Sequence, residues 1–316
     1  MTQSAAHDRL NDTDLILASQ DTPHRIGCGD VDIHAFSRPF DGLGGDVCEV
    51  VRLDERHLMI TLADATGHDP AAHRMSARFS QSIRARYQAA RLRQADPGEL
   101  LQQVAGDLFD DRHGECHFVT AIHAVYNERS RVIRWARAGA PYPILLRTGH
   151  GPRRLLSEGP LLGVVPATSF EVRTLRLDPG DALLFHTDGL EGAVLRREGI
   201  AAWADMDRTR WYRNLRSGSI EAELRKIGRD LNRRGRSACD HAFDVGGHDD
   251  VDEAATATRD TAWDDDVSAV ALRLHAGPLE VFPFVRRHMP ALPTARRFLD
   301  RADAPASKLV GIGRSW

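Results

Sequence analysis

Residues 57–73, HLMITLADATGHDPAAH, pass from an apolar strand pattern through a turn of small residues into the start of a helix. Asp64 ends the apolar stretch, and a glycine follows three residues later. Asp69-Pro70 is typical of a helix start, with aspartate at the N-cap and proline in the first helical position. A carboxylate between a strand and a tight turn can bind a ligand or a metal ion, but the same residues are common in ordinary loops. Other strand junctions are needed to choose between the two interpretations.

The bulk composition excludes several classes of protein. A chain of 316 residues can bury a large core, and its formal charge of −3 indicates no general bias toward nucleic acid. No apolar run approaches the ~18 residues that span a bilayer, and the N-terminus lacks the layout of a signal peptide. The cysteines are far apart, at Cys28, Cys48, Cys116 and Cys239, which favours reduced thiols over disulfides or a zinc site. We expect a cytoplasmic protein that binds neither nucleic acid nor membrane.

Strand-like segments dominate the chain and leave room for few helices. They are residues 31–38, 47–54, 57–64, 116–127, 131–139, 142–148, 169–177, 181–188 and 267–274. After Pro70, apolar residues recur every four positions, at Met75, Phe79, Ile83 and Tyr87. A second helix is expected from Pro97 and a third over residues 218–234. Two helices inserted into a strand-rich chain indicate a mainly antiparallel arrangement, not an alternating βαβ one.

Acidic residues fall at four separate strand junctions. Asp46 ends the turn GLGGD, Asp64 ends HLMITLAD, and Asp188 ends ALLFHTD. Asp264, Asp265 and Asp266 directly precede the last strand. Hard divalent cations such as Mg²⁺ and Mn²⁺ take oxygen ligands, and nearby glycines let backbone and water approach them. Any single junction is weak support, because Asp and Gly are ordinary turn residues.

Taken in order, these junctions form a family pattern. The series G-G-D, D-x-x-G-H, T-D-G and D-D-x-S resembles the PPM family of metal-dependent serine/threonine phosphatases (the type-2C phosphatases). ARAGAPYPILLR, residues 136–147, narrows the resemblance to the bacterial SpoIIE/RsbU branch. The resemblance predicts a phosphatase domain over residues 26–275. A flexible segment, 1–25, would precede it, and a basic extension, 276–316, would follow it.

The resemblance implies an α+β fold, an α-β-β-α sandwich of two antiparallel sheets flanked by helices. It also implies a site for two divalent cations, Mn²⁺ or Mg²⁺. Asp64 would bridge both ions, and the Ala65 carbonyl would bind one of them. Asp188 and Asp265 would hold the second ion, while Asp46 would bind or orient the first through water.

The function implied is hydrolysis of phosphoserine or phosphothreonine on a regulatory protein by a metal-activated water. The branch suggests, as substrate, a small partner such as a STAS-type anti-sigma factor antagonist. The alternative is a catalytically weak PPM-fold binding module that recruits a signalling partner. The oligomeric state does not follow from the sequence.

Some positions depart from the branch pattern or leave two interpretations open. Cys48, Asp69 and Ala140 replace residues usual in the branch, and none of them is an expected ligand. The acidic stretch 205–263 is longer than the family core requires, and it is either a solvated loop or a flap beside the active site.

Basic residues near these motifs are expected to be mostly structural. We expect His68 to be a loop residue near the site, His73 a surface residue, and His186 a packed strand residue. The arginines of the first helix are expected to form a solvated face and not a phosphate surface. They are Arg78, Arg84, Arg86, Arg91 and Arg93.

Overall fold

The computed structural model describes most of the predicted phosphatase domain. The described residues are 15–17, 24–28, 30–39, 44–67, 70–89, 96–110, 118–165, 169–200, 203–243 and 265–275. His68, Asp69, Arg91, Arg93, Asp264 and the extension 276–316 lie outside them.

The strands and helices alternate in blocks along the chain. The strands are β1 (Leu15–Leu17), β2 (His24–Cys28), β3 (Val31–Arg38), β4 (Asp46–Arg52), β5 (His57–Ala65), β6 (Val119–Asn127), β7 (Val132–Ala138), β8 (Ile144–Leu146), β9 (Arg153–Arg154), β10 (Val172–Arg176), β11 (Ala182–His186) and β12 (Val267–Leu274). The α-helices are α1 (Pro70–Ala89), α2 (Pro97–Asp110), α3 (Asp188–Arg197), α4 (Arg210–Asn214) and α5 (Ile220–Phe243).

Two six-stranded sheets form the centre of the domain. The first has the strand order β1-β4-β5-β6-β7-β10, and the second has the order β2-β3-β12-β11-β8-β9. All pairings between these strands are antiparallel. Buried residues of both sheets meet in one core, to which Leu58, Ile60 and Leu62 of β5 contribute. The intervening Met59 and Ala63 face the helices, as the two-residue repeat of a strand requires.

Helices cover the outer face of each sheet, so the α-β-β-α sandwich expected from the sequence is confirmed. On the first sheet, α1 begins at Pro70 and α2 at Pro97, as predicted. The predicted apolar stripe of α1 is buried at Met75, Phe79 and Ile83. On the second sheet, α3, α4 and α5 pack over a separate apolar cluster.

The stretch 205–263 differs from both of its expected forms where it is described. Residues 203–208 form a 3₁₀ helix, followed by α4 and α5. Met206, Trp211 and Leu215 are buried against the second sheet. Removing their apolar side chains from water lowers the free energy of the folded state. This part is neither a solvated loop nor a flap, and residues 244–263 lie outside the described part.

Two other elements were not expected. The segment 1–25, predicted to be flexible, contributes β1 and the first residues of β2, because each pairs with the edge of a sheet. Helix α3 was missed because its short sequence, DGLEGAVLRR, carries two glycines, which weaken a helical pattern. Among the described helices, none has the length and apolar character needed to cross a bilayer.

Candidate active site

Asp46 and Asp64 lie side by side on the first sheet. Asp46 is the first residue of β4, and Asp64 is the penultimate residue of β5. They are direct partners in the antiparallel ladder, so their side chains leave the sheet on the same face. Leu62, two residues before Asp64, lies in the core between the sheets. Both carboxylates therefore point toward the second sheet, at one end of the sandwich.

The second sheet brings two more acidic segments to this end. Thr187 and Asp188 follow β11, while Asp265 and Asp266 precede β12. The two strands are antiparallel neighbours, and the Thr187 N–H donates to the Ser268 carbonyl over 3.0 Å. The end of β11 and the start of β12 therefore lie next to each other.

The carboxyl groups are close enough to change one another's ionisation. The pKa of Asp64 is raised to about 8, first by burial and then by the negative charges of Asp188, Asp265 and Asp266. A hydrogen bond between the Asp64 and Asp188 side chains raises it further. Such a bond needs a proton on one carboxyl group, because two carboxylates are both acceptors. The four strand junctions thus converge on one acidic cluster.

Asp46 has one buried carboxylate oxygen that no donor reaches in the described part of the chain. Burial raises its pKa well above the usual value, and the charge of Asp64 raises it further. The polar side chains of Ser268 and Thr187 lower the same pKa. The Thr187 hydroxyl donates to Oδ2 over 3.0 Å, whereas the buried Oδ1 has no hydrogen-bond partner among the described residues. Oδ1 is therefore an acceptor without a donor.

Asp266 holds the turn that precedes β4. Its Oδ2 accepts the backbone N–H of Gly45, and that of Asp46 over 3.3 Å. The Gly45 carbonyl in turn accepts the Ala65 N–H over 3.2 Å. A β-carbon on Gly45 would lie 2.8 Å from the Ala65 carbonyl oxygen and 3.0 Å from that of Gly67. The turn thus packs directly against the backbone that follows Asp64, which requires a glycine.

The donor set fits hard divalent cations in its chemistry. The site offers clustered carboxylates and a buried Asp46 oxygen without a donor. A cation would offset the like charges that raise the pKa of Asp64. In the described ranges, however, no three His, Cys, Asp or Glu side chains stand where they could hold one ion together. The residue types and their location therefore suit a cation, but the described side chains do not form a complete coordination shell.

A family comparison covers most of the domain. The family model described as Stage II sporulation protein E (SpoIIE) matches residues 54–275. The chain belongs to the SpoIIE family. The matched region includes Asp64, Asp188 and Asp265 and begins after Asp46.

Solved structures share the fold of this SpoIIE-family chain at low sequence identity. The RsbU and RsbW domains of Rv1364c from Mycobacterium tuberculosis are 20% identical with a TM-score of 0.58, over 82% of this chain and 64% of that one. The PP2C phosphatase domain and regulatory fragment of Bacillus subtilis SpoIIE are 15% identical with a TM-score of 0.56, over 80% and 63%. RsbX, solved in complex with magnesium, is 14% identical with a TM-score of 0.51, over 80% and 100%. The chain therefore has the PP2C-type phosphatase fold.

This chain is shorter than several of its relatives. It spans less than two thirds of the first two solved chains. It also shares 28% identity over 92 residues with Protein IcfG of Synechocystis, which is 14% of that protein.

Helix α1 of the SpoIIE-family domain contacts the turn before β4. The Ser76 hydroxyl donates to the Gly45 carbonyl, with the Ala72 carbonyl 3.0 Å away. His73 is exposed, as expected, and its Nδ1 lies 3.2 Å from the Gly44 carbonyl oxygen. The helix after Asp64 is thus hydrogen-bonded to the turn that carries Asp46.

Buried polar residues link the same helix to β4. Glu49 is buried, and its Oε1 accepts hydrogen bonds from Ser80 and from Arg84, whose Nη2 is 2.8 Å away. Arg84 is thus partly exposed, as expected, but its guanidinium also neutralises a buried carboxylate. Arg86 pairs with Asp107 of α2, while Arg91 and Arg93 lie outside the described residues.

The structure brings together the side chains of the predicted site and adds three residues to them. Thr187, Ser268 and Asp266 touch Asp46 or its turn, although T-D-G and D-D-x-S include them only as flanking letters. Their partners are more than 100 residues away, so no local pattern could identify the contacts. His186 is buried in β11, and burial lowers its pKa to about 4, which agrees with a packed strand residue.

Proposed function

We propose that this protein is a metal-dependent protein serine/threonine phosphatase that hydrolyses phosphoserine or phosphothreonine on a regulatory protein. The observation that carries the proposal is the convergence of four acidic strand junctions at one end of the sandwich. Asp64 interacts there with carboxylates from both segments of the second sheet. An isolated turn aspartate would not have its pKa raised by three others, so the ordinary-loop interpretation is the weaker one.

The residues of the cluster would divide the work of binding. The first sheet would contribute Asp46, Asp64 and the Ala65 carbonyl as ligands. The second sheet would contribute Asp188 and Asp265. When bound, two divalent cations, Mn²⁺ or Mg²⁺, would lower the pKa of a water molecule and neutralise charge on the phosphoryl oxygens. The magnesium complex of RsbX supports the choice of ion class.

The proposed substrate is a phosphorylated signalling protein in the cytoplasm. The M. tuberculosis relative carries RsbU and RsbW domains, which supports a partner from the same kind of regulatory system. A STAS-type anti-sigma factor antagonist is the candidate of this class.

Hydrolysis of p-nitrophenyl phosphate and of a phosphoserine peptide tests the proposal, with Mn²⁺, with Mg²⁺, and with EDTA. We expect turnover that requires the metal and disappears in Asp64→Asn. A folded sample that binds Mn²⁺ and turns over neither compound would contradict the proposal and would support a binding module.

A further inference from the structure

Thr187 occupies the N-cap of α3 but does not cap it. Its backbone has the extended conformation of an N-cap residue, with φ −86° and ψ 167°. A threonine in this position normally accepts a hydrogen bond from an N–H in the first helical turn. The Thr187 side chain makes no such bond.

The hydroxyl instead connects three distant segments of the chain. Oγ1 donates to Asp46 Oδ2 over 3.0 Å and accepts the Ser268 N–H over 3.0 Å. The Ser268 carbonyl oxygen, 3.4 Å from Oγ1, is a second acceptor for the single hydroxyl proton, and the shorter distance favours donation to Asp46. Asp46 begins a strand of the first sheet, whereas Thr187 and Ser268 belong to adjacent strand ends of the second. The bond therefore ties the two sheets together at the acidic cluster.

The surroundings of Thr187 leave its hydroxyl little freedom. The residue is 3% exposed, and its own N–H donates to the Ser268 carbonyl over 3.0 Å. The Ser268 hydroxyl donates to the Ser37 hydroxyl over 2.9 Å, and the Ser268 side chain lies near enough to Asp46 to lower the pKa of that carboxyl group. Hydroxyl groups from two adjacent strands thus surround the Asp46 carboxylate on the side of the second sheet.

We propose that Thr187 is a positioning residue whose hydroxyl holds the Asp46 carboxylate in one orientation, with Oδ2 engaged and Oδ1 left for a divalent cation. Because Asp188 follows directly in the chain, the same residue couples the positions of two proposed metal-binding carboxylates from different sheets. The inference rests on the proposed function, since it takes Asp46 as part of the metal site. Loss of a hydrogen bond that orients a metal-binding side chain typically changes metal affinity by about 10–100-fold.

Another N-cap threonine in the chain provides a matched control. Thr209 begins α4, is fully buried, and its hydroxyl accepts the Tyr212 N–H over 3.0 Å. Replacement of Thr209 by valine removes a helix cap far from Asp46 in the sequence. Replacement of Thr187 by valine removes the bond to Asp46 and the side-chain acceptor of the Ser268 N–H, but no helix cap.

The experiment measures Mn²⁺ affinity by isothermal titration calorimetry without substrate, together with the melting temperature in EDTA. We expect Thr187→Val to weaken Mn²⁺ binding about 10-fold or more, and Thr187→Ser to stay within about threefold of the wild type. Thr209→Val should lower the melting temperature by about 2–4 °C and leave Mn²⁺ affinity unchanged. If Thr187→Val cannot be purified, Thr187→Ala is measured in the same way.

Two results would overturn the positioning role. One is a Thr187→Val protein that binds Mn²⁺ as tightly as the wild type. The other is a Thr187→Ser protein as weak as Thr187→Val, which would mean that packing of the methyl group matters and the hydroxyl does not. A wild-type protein that binds no Mn²⁺ would instead overturn the proposed function, and this inference with it.

Discussion

Asp46 and Asp64 are cross-strand partners in the ladder between β4 and β5, and both carboxyl groups face the second sheet. Like charges directly opposite each other destabilise a sheet. The pKa of each carboxyl group is raised accordingly, mainly by burial and in part by neighbouring carboxylates. This pair therefore lowers the stability of the fold, which makes a functional role the better explanation for it.

We predict that Asp64→Asn abolishes metal-dependent turnover without unfolding the chain. The raised pKa keeps a proton on native Asp64 between about pH 4 and 8, where the unfolded carboxyl is ionised. Only the native state holds this proton, so the free energy of unfolding falls as pH rises from about 4 to 8, and asparagine mimics the protonated form without that cost. In EDTA at pH 7.5 the variant should be more stable to unfolding by about 1–2 kcal/mol.

Thermal unfolding and turnover are measured on the same two samples, with and without Mn²⁺. Wild-type activity retained by the variant at saturating Mn²⁺ would contradict the role of Asp64 in the site.

We predict that Asp266→Ala weakens the site through the turn before β4. Its loss leaves the N–H groups of Gly45 and Asp46 without their acceptor, and an unmet buried donor costs about 1–3 kcal/mol. Asp266→Asn keeps an oxygen acceptor, so it should retain the fold and bind Mn²⁺ nearly as well.

Asp265→Ala should lose Mn²⁺ affinity with little change in stability in EDTA. Urea unfolding and calorimetry separate the three variants, and equal destabilisation by Asn and Ala at 266 would contradict the turn-holding role.

We predict opposite effects for alanine at two glycines. In Gly45→Ala the new β-carbon would lie 2.8 Å from the Ala65 carbonyl oxygen, so the turn must shift. We expect a loss of about 1–3 kcal/mol in the free energy of unfolding and weaker Mn²⁺ binding. Gly106→Ala, in α2, meets no atom within 4 Å and should stabilise by about 0.5–1 kcal/mol. Denaturant titration checks both, and a neutral Gly45→Ala would show that the turn is loosely packed.

We predict that His123 makes stability fall in acid. Burial lowers its pKa from about 6.5 to about 3, so the unfolded chain takes up a proton in this window while the native histidine does not. The free energy of unfolding therefore decreases as pH falls from about 6.5 toward 3. His123→Asn can still form a hydrogen bond to Thr61. In this variant the free energy of unfolding should change less steeply with pH, by about 1 kcal/mol per pH unit. Urea unfolding at several pH values measures the difference, and parallel curves for the two proteins would refute it.

Local patterns in the sequence were sufficient for most of the framework. The two-residue repeat predicted β3 and β12 at their observed bounds, and the Asp-Pro pairs located the starts of α1 and α2. The acidic strand junctions and their family order predicted which carboxylates would lie near one another. These features depend on neighbouring residues, because strand alternation, helix starts and turn chemistry act over a few positions.

Only the tertiary structure decided which polar groups meet across the sheets. The N-cap position of Thr187 predicts a helix cap, yet its hydroxyl bonds to Asp46, 141 residues away. Arg84 has the sequence of a solvated helix face, yet it pairs with buried Glu49 of β4. A side chain's partner depends on the packing of distant segments and on the need to satisfy buried polar groups. Neither depends on local sequence, so the strands could be predicted from the chain and the contacts that align the site could not.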